Sequence, residues 1–361
     1  MRSSKQRRAG GGPARRSGPA APRRARRLVR WIALGIVVVV AGSAGGYFML
    51  RPAARPDPSF NWPLPDPDLA RMQPRVAERI RKAREVVLSR PESAEAWGRL
   101  GAVCDVHDLI DAAAPCYRWA QALSPQDYRW PYLLGYVREQ QGADVAEITE
   151  LFEQAARLEP RFPPTFFRLG DALMREGKTR KACDAYRRAL DLYPTLAIVH
   201  RSLGQALIAA GDAQAALRHL EHALEYGQED GAVYAAMARA YTQLGRPEDA
   251  EAAAARSARA PIALALPDPL RYEIGKLGIS SWHCSERADA LIQAGDYAAA
   301  IDQLEIVREQ LPDNPKVHYR LGFALEKLGR TNEAITAYRH VIRIDPGHAA
   351  RRRLRALGAL P

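Results

Sequence analysis

Apolar side chains recur at helical spacing from residue 76 onward, and the recurrence itself repeats about every 34 residues. Aligned on a Leu-Gly or equivalent pair, the units begin near residues 94, 128, 163, 197, 231, 281 and 315, in steps of 34, 35, 34, 34, 50 and 34. The first unit carries Trp97, Leu100-Gly101, Ala113, Tyr117, Ala120 and Pro125. The third carries Phe166, Leu169-Gly170, Gly177, Ala182, Tyr186, Ala189 and Pro194, and the seventh Leu321-Gly322, Leu325, Gly329, Ala334, Tyr338 and Pro346. Each unit therefore predicts two helices. Gly142, Gly177, Gly211, Gly245, Gly295 and Gly329 fall between them, where a left-handed helix terminus suits glycine. Pro125, Pro160, Pro194, Pro312 and Pro346 stop the second helix. A lone hairpin cannot bury its apolar face, and stacking makes one continuous core.

This pattern resembles the tetratricopeptide repeat over nearly all of residues 76–346. The resemblance implies an all-α fold, a right-handed superhelical solenoid of tetratricopeptide helix hairpins. The repeats occupy 94–264 (one to five) and 281–348 (six and seven). Val76–Ser89 reads as an amino-terminal capping helix within 76–93, and 349–361 as a carboxy-terminal cap. Residues 265–280 form an insertion with two prolines and two glycines, expected to interrupt the regular stack. In this family the concave face of the first helices binds partners. Carried over, that rule gives Arg129, Tyr132, Tyr136, Phe167, Asp171, Arg175, Arg201, Gln205, Arg239, Trp282, Tyr319 and Phe323. Arginine with aromatics is the composition that binding hot spots favour, though single aromatics could equally pack between neighbouring units. The chaperone-binding subgroup grips a terminal carboxylate with a Lys–Asn pair. Here those positions hold Tyr132/Tyr136, Arg201/Gln205 and Tyr319/Phe323, so that clamp is absent.

Charge changes the picture only at the amino terminus. The 361 residues carry a net +12, but residues 1–30 hold eleven Lys/Arg and no acid, which leaves +1 for the rest. With Gly, Pro and Ser between the arginines, 1–30 reads as a disordered basic cytoplasmic tail that attracts anionic lipid head groups. No specific nucleic acid is expected, since no aromatic or folded reader accompanies the tail. Residues 31–50 (WIALGIVVVVAGSAGGYFML) lack any charged side chain, and 20 residues suffice to cross a bilayer as one transmembrane helix. The positive-inside rule then leaves the amino terminus in the cytoplasm and the repeats on the periplasmic or extracytoplasmic side of the cell membrane. A cleaved signal peptide, with Gly42-Ser43-Ala44 as its cut, is the competing reading. Arg26-Arg27-Leu28-Val29 also loosely resembles a twin-arginine signal. The long basic region and the continued apolar run Tyr47–Leu50 favour the uncleaved anchor. Residues 52–75, with seven prolines, read as an extended Pro-rich linker that holds the repeats off the membrane.

Motifs for chemistry are sparse. Cys104, Cys116, Cys183 and Cys284 make no C-x-x-C pair, so zinc and c-type haem have little support and all four read as small buried hydrophobes. His219 and His222 lie three apart without an evident third ligand and read as solvated surface residues. Gly177-Lys178-Thr179 imitates a phosphate loop, but Ala172 stands where that motif needs glycine. No cofactor, metal or catalytic activity is expected; the nearest thing to an active site is Asp268, Arg271, Tyr272, Glu273 and Lys276 of the insertion. The expected role is a single-pass, membrane-anchored scaffold of bacterial type that binds protein or peptide partners in the concave groove. A narrower alternative is a periplasmic assembly factor that presents apocytochrome or another envelope client to its maturation machinery.

Overall fold

The computed structural model describes residues 63–227, 229–261 and 264–360. Among these residues every regular element is an α-helix. A single helix, α1 (Pro74–Ser89), precedes five antiparallel hairpins. These are α2–α3 (Ala94–Val106, Ile110–Leu123), α4–α5 (Arg129–Gln140, Val145–Leu158), α6–α7 (Pro163–Arg175, Thr179–Leu192), α8–α9 (Ala197–Ala209, Ala213–Tyr226) and α10–α11 (Gly231–Gln243, Pro247–Ser257). The short α12 (Pro269–Gly275) follows, then α13–α14 (Ser281–Ala294, Tyr297–Gln310), α15–α16 (Pro315–Lys327, Thr331–Ile344) and the closing α17 (Ala350–Ala356). The expected anchor at 31–50 and the basic tail at 1–30 lie outside the described residues. Among the described residues, no helix is long and apolar enough to cross a membrane.

One packing device explains the spacing of each hairpin. The glycine of the Leu-Gly pair receives a large side chain from the second helix. Gly101 faces Tyr117, Gly135 faces Phe152, Gly170 faces Tyr186, Gly204 faces Leu220 and Gly322 faces Tyr338. A Cβ at any of the five would stand 2.4–2.9 Å from that side chain, closer than real contacts allow. The helix-to-helix turns obey a second rule. All six glycines expected there take positive φ, between 67° and 87°. The first hairpin has Asp108 at the equivalent place, and it is the single non-glycine among the described residues with positive φ, at 61°. Aspartate tolerates that region better than most residues because its short side chain bonds locally.

The core falls into two clusters, one reaching from Val76 to Ile274 and the other from Cys284 to Leu354. The insertion lies between them and does more than interrupt. It crosses the concave face and delivers the chain to α1. There Gln73 and Ser281 bond reciprocally: the Gln73 amide donates to Ser281 Oγ at 2.8 Å, and the Ser281 N–H donates to Gln73 Oε1 at 2.9 Å. Arg75 pairs with Glu309, and Arg79 donates to the Leu277 carbonyl at 2.7 Å. Helix α1 thus packs against α2 on one side and meets the sixth hairpin on the other.

The described part of the proline-rich linker departs from a free stalk. Leu64, Leu69 and Met72 pack against the core, and Asp66 pairs with Arg84 at 2.7 Å. Apolar residues set among the prolines give this stretch something to bury.

Candidate functional site

The first helices of the hairpins carry a row of polar side chains along the concave face. Four carboxylates anchor it. Asp105, 3 % exposed, accepts from the Tyr117 hydroxyl at 3.1 Å. Glu139 receives Arg168 at 3.3 Å and also Arg175. Asp171 accepts from the Tyr186 hydroxyl at 2.6 Å. Asp230, fully buried, accepts from the Ala232 and Val233 N–H groups at 2.8 and 3.1 Å, capping α10. Burial pushes the Asp171 carboxyl up to about 6, although the Tyr186 hydroxyl and the nearby Arg168 pull the other way. Burial likewise holds the Tyr117 and Tyr132 phenols well above their ordinary range, so both act as neutral donors.

The insertion occupies this row. Arg271 forks onto Asp105, with Nη2 to Oδ1 at 3.1 Å and Nη1 to Oδ2. Its guanidinium carbon lies 3.8 Å from the Tyr136 ring centre, and Arg168 lies 4.6 Å from the same ring. Tyr132 donates its hydroxyl to Asp268. Asp268 also caps α12 by accepting from the Arg271 N–H at 3.0 Å. The Leu264 N–H donates to Asp230 at 2.9 Å.

The sequence-derived groove residues therefore fall into separate settings. Tyr132 is fully buried beneath the insertion, and Phe167, 5 % exposed, lies tilted against Tyr186 inside the core. Tyr136 and Arg175 lie beside them, engaged as described. Arg129 is paired with Asp127 at 2.6 Å and with Glu95 at 3.0 Å. Arg201 reaches the buried Asp230 at 3.4 Å. Gln205 and Arg239 line an open depression of about 540 Å³ with Ile208, Ala209, Ala238, Thr242 and Gln243. Arg239 is exposed, and among the described residues it has no acid partner. Trp282, 64 % exposed, meets the edge of His283. Tyr319 packs against the second cluster, while Phe323 meets Tyr297 edge-on at 6.2 Å with Arg353 of α17 5.5 Å from its ring.

Sequence reasoning missed Asp105, Glu139 and Asp230, which look like ordinary helix-surface acids until their partners are known. Asp268 and Arg271 were visible as polar residues of an insertion. The available signal was Asp268-Pro269, a capping residue before a first-turn proline.

The histidines also differ from a solvated pair. His200 Nε2 bonds the Pro194 carbonyl at 2.8 Å, and its Nδ1 lies 3.1 Å from His219 Nδ1. Burial, with His200 and His222 adding like charge, lowers His219 to about 4. Among the described residues, no group of three or more His, Cys, Asp or Glu is placed to hold a metal ion. All four cysteines are free thiols in the core.

Residues 207–260 and 291–358 match one sequence profile of the tetratricopeptide repeat, 163–196 a second and 106–163 a third. Together they span more than half of the chain, and the glycine-and-knob pairs Gly135–Phe152, Gly170–Tyr186 and Gly322–Tyr338 lie inside them. The chain belongs to the tetratricopeptide repeat family. Among curated proteins no sequence matches it. The crystal structure of MamA is 18% identical, covering 47% of this chain and 92% of that one at a TM-score of 0.44. The Cut9–Hcn1 hetero-tetramer of APC/C is 14% identical, covering 78% and 52% at 0.38. YrrB, described as a TPR protein with an unusual peptide-binding site, is 18% identical, covering 58% and 99% at 0.27. As a tetratricopeptide array, the chain is a scaffold for protein–protein contacts.

Proposed function

We propose that the scaffold takes a partner segment on the concave face of its fourth and fifth repeats. One observation carries this reading: Arg239 stands exposed, without an acid partner among the described residues, beside Gln205, over an apolar floor of Ile208, Ala209 and Ala238. A planar guanidinium suits a carboxylate, and the alanine–isoleucine floor suits the apolar side chain next to it. Residues 31–50 would anchor the scaffold, with the basic tail in the cytoplasm and the repeats on the extracytoplasmic side. The support is the sequence itself, which places eleven cationic residues before the apolar run and none within it. Envelope proteins under assembly, apocytochromes among them, are the clients within reach there.

Affinity capture from envelope extracts tests the binding surface. Arg239→Glu with Gln205→Ala should reduce at least one captured partner tenfold or more while leaving the melting temperature unchanged. If every captured partner is retained, the surface lies elsewhere. A carboxy-terminal reporter active only outside the cytoplasm tests the topology; a stable but inactive fusion would overturn it.

A further inference from the structure

Residues 264–280 cover the concave face of the first repeats with apolar and polar groups together. Ile274 is buried and Leu264, Leu266, Leu270, Leu277 and Ile279 pack half-buried against the core, whereas Tyr272 is 67 % exposed and Glu273 pairs with Lys276 in solvent. The specific contacts are the Arg271 fork on Asp105, the Arg271 face on Tyr136 and the Tyr132 hydroxyl on Asp268. A buried ion pair of this kind contributes little net stability, because desolvation offsets attraction, yet removing one member leaves a stranded charge. Asp105 is 3 % exposed and cannot regain water without the face opening. Whatever lies on this face must therefore supply a guanidinium to Asp105 and an acceptor to Tyr132.

The chain repeats the solution at its other end. Tyr338 donates to Glu326 at 2.8 Å, and Arg353 of α17 donates to the same carboxylate at 3.2 Å. An arginine brought in from outside the hairpin onto a tyrosine-held carboxylate thus occurs at both Asp105 and Glu326. Lysine would not serve at Asp105, since a point ammonium cannot both fork onto the carboxylate and lie flat on Tyr136.

We propose that the face built by Asp105, Tyr132 and Tyr136 is a recognition site for a short helical turn bearing a carboxylate and, three residues later, an arginine. Residues 264–280 are its built-in occupant, and a partner segment of the same chemistry exchanges with them. This inference rests on the reading of the array as a partner-binding scaffold. It concerns a different stretch of the concave face from that of Gln205 and Arg239.

The probe is a fluorescein-labelled peptide of residues 264–281, titrated into the full chain and into the full chain carrying Asp268→Asn and Arg271→Gln. The double variant should bind the peptide at least tenfold more tightly than the unaltered chain. A peptide with Arg271→Lys should lose at least tenfold of that affinity. A folded double variant that binds no better than the unaltered chain overturns the proposal, as does equal binding of the lysine peptide. If the double variant loses its helical circular dichroism, the unaltered chain, labelled with ¹⁵N, is saturated with unlabelled peptide. Amide hydrogen exchange in its own residues 264–280 should then accelerate at least threefold, and unchanged exchange overturns the proposal. Neither readout involves Arg239, so partner capture through the fourth and fifth repeats can fail while this result stands, and the reverse.

Discussion

The Tyr186 hydroxyl lies 2.6 Å from Asp171 and donates to a carboxyl that burial has pushed up to about 6. The ordinary value is 3.8, so between about 4 and 6 the native state binds more protons than the unfolded chain. Stability from this group therefore falls as pH rises through that window and stays lower above it. Asp171→Asn should raise stability at pH 8 by about 1–3 kcal/mol and leave pH 4 nearly unchanged. Urea unfolding at the two pH values checks it; a variant less stable at pH 8 would show that the charge is needed by Arg168 or Arg175.

Two histidines act with the opposite sign. His107 is lowered to about 4, first by burial and then by His283 and Arg79, and His219 is lowered to about 4 as well. As pH falls below 6.5 the unfolded chain takes up these protons first, so stability is lost between about 6.5 and 4. His107→Gln and His219→Gln together should flatten melting temperature against pH in that range. An unchanged acid slope would place the sensitivity elsewhere.

The glycines of one hairpin differ in what they tolerate. A Cβ at Gly170 would stand 2.4 Å from Tyr186, whereas Gly177 has nothing within 4 Å but a φ of 74°. Gly170→Ala should cost about 2–4 kcal/mol through overpacking. Gly177→Ala should cost about 1 kcal/mol through backbone strain alone. Denaturant midpoints of the two variants give the order, and equal midpoints would contradict the knob-in-glycine account.

Asp108 offers the converse. At φ 61° it occupies the place that glycine holds in the later repeats. Asp108→Gly should stabilise the chain by about 0.5–1 kcal/mol. A loss of stability would mean that the Asp108 charge beside His283 matters more than the backbone.

Much of this fold was legible because its rules are local. The Leu-Gly pair, the turn glycine and the terminal proline each mark a contact made within some thirty residues, so Gly101 and Tyr117 could be paired by spacing alone. The concave face was legible only as a set of positions. Tyr132 lies in the first helix of its repeat, but its acceptor, Asp268, lies 136 residues away. Arg271 and Asp105 are 166 apart. No period links such partners, and an insertion is by definition outside the repeat that makes the rest readable. The fork that fills the face was therefore hidden, although each of its residues was in view.

The reciprocal bond between Gln73 and Ser281 bears on how the array comes apart. An open solenoid behaves as a one-dimensional chain of neighbours and frays from either end. Here the leading helix is clasped by the sixth hairpin, so that end has no free edge from which melting could propagate inward. Loss of the sixth hairpin should loosen the first, which couples parts of the sequence that a linear array would leave thermodynamically independent.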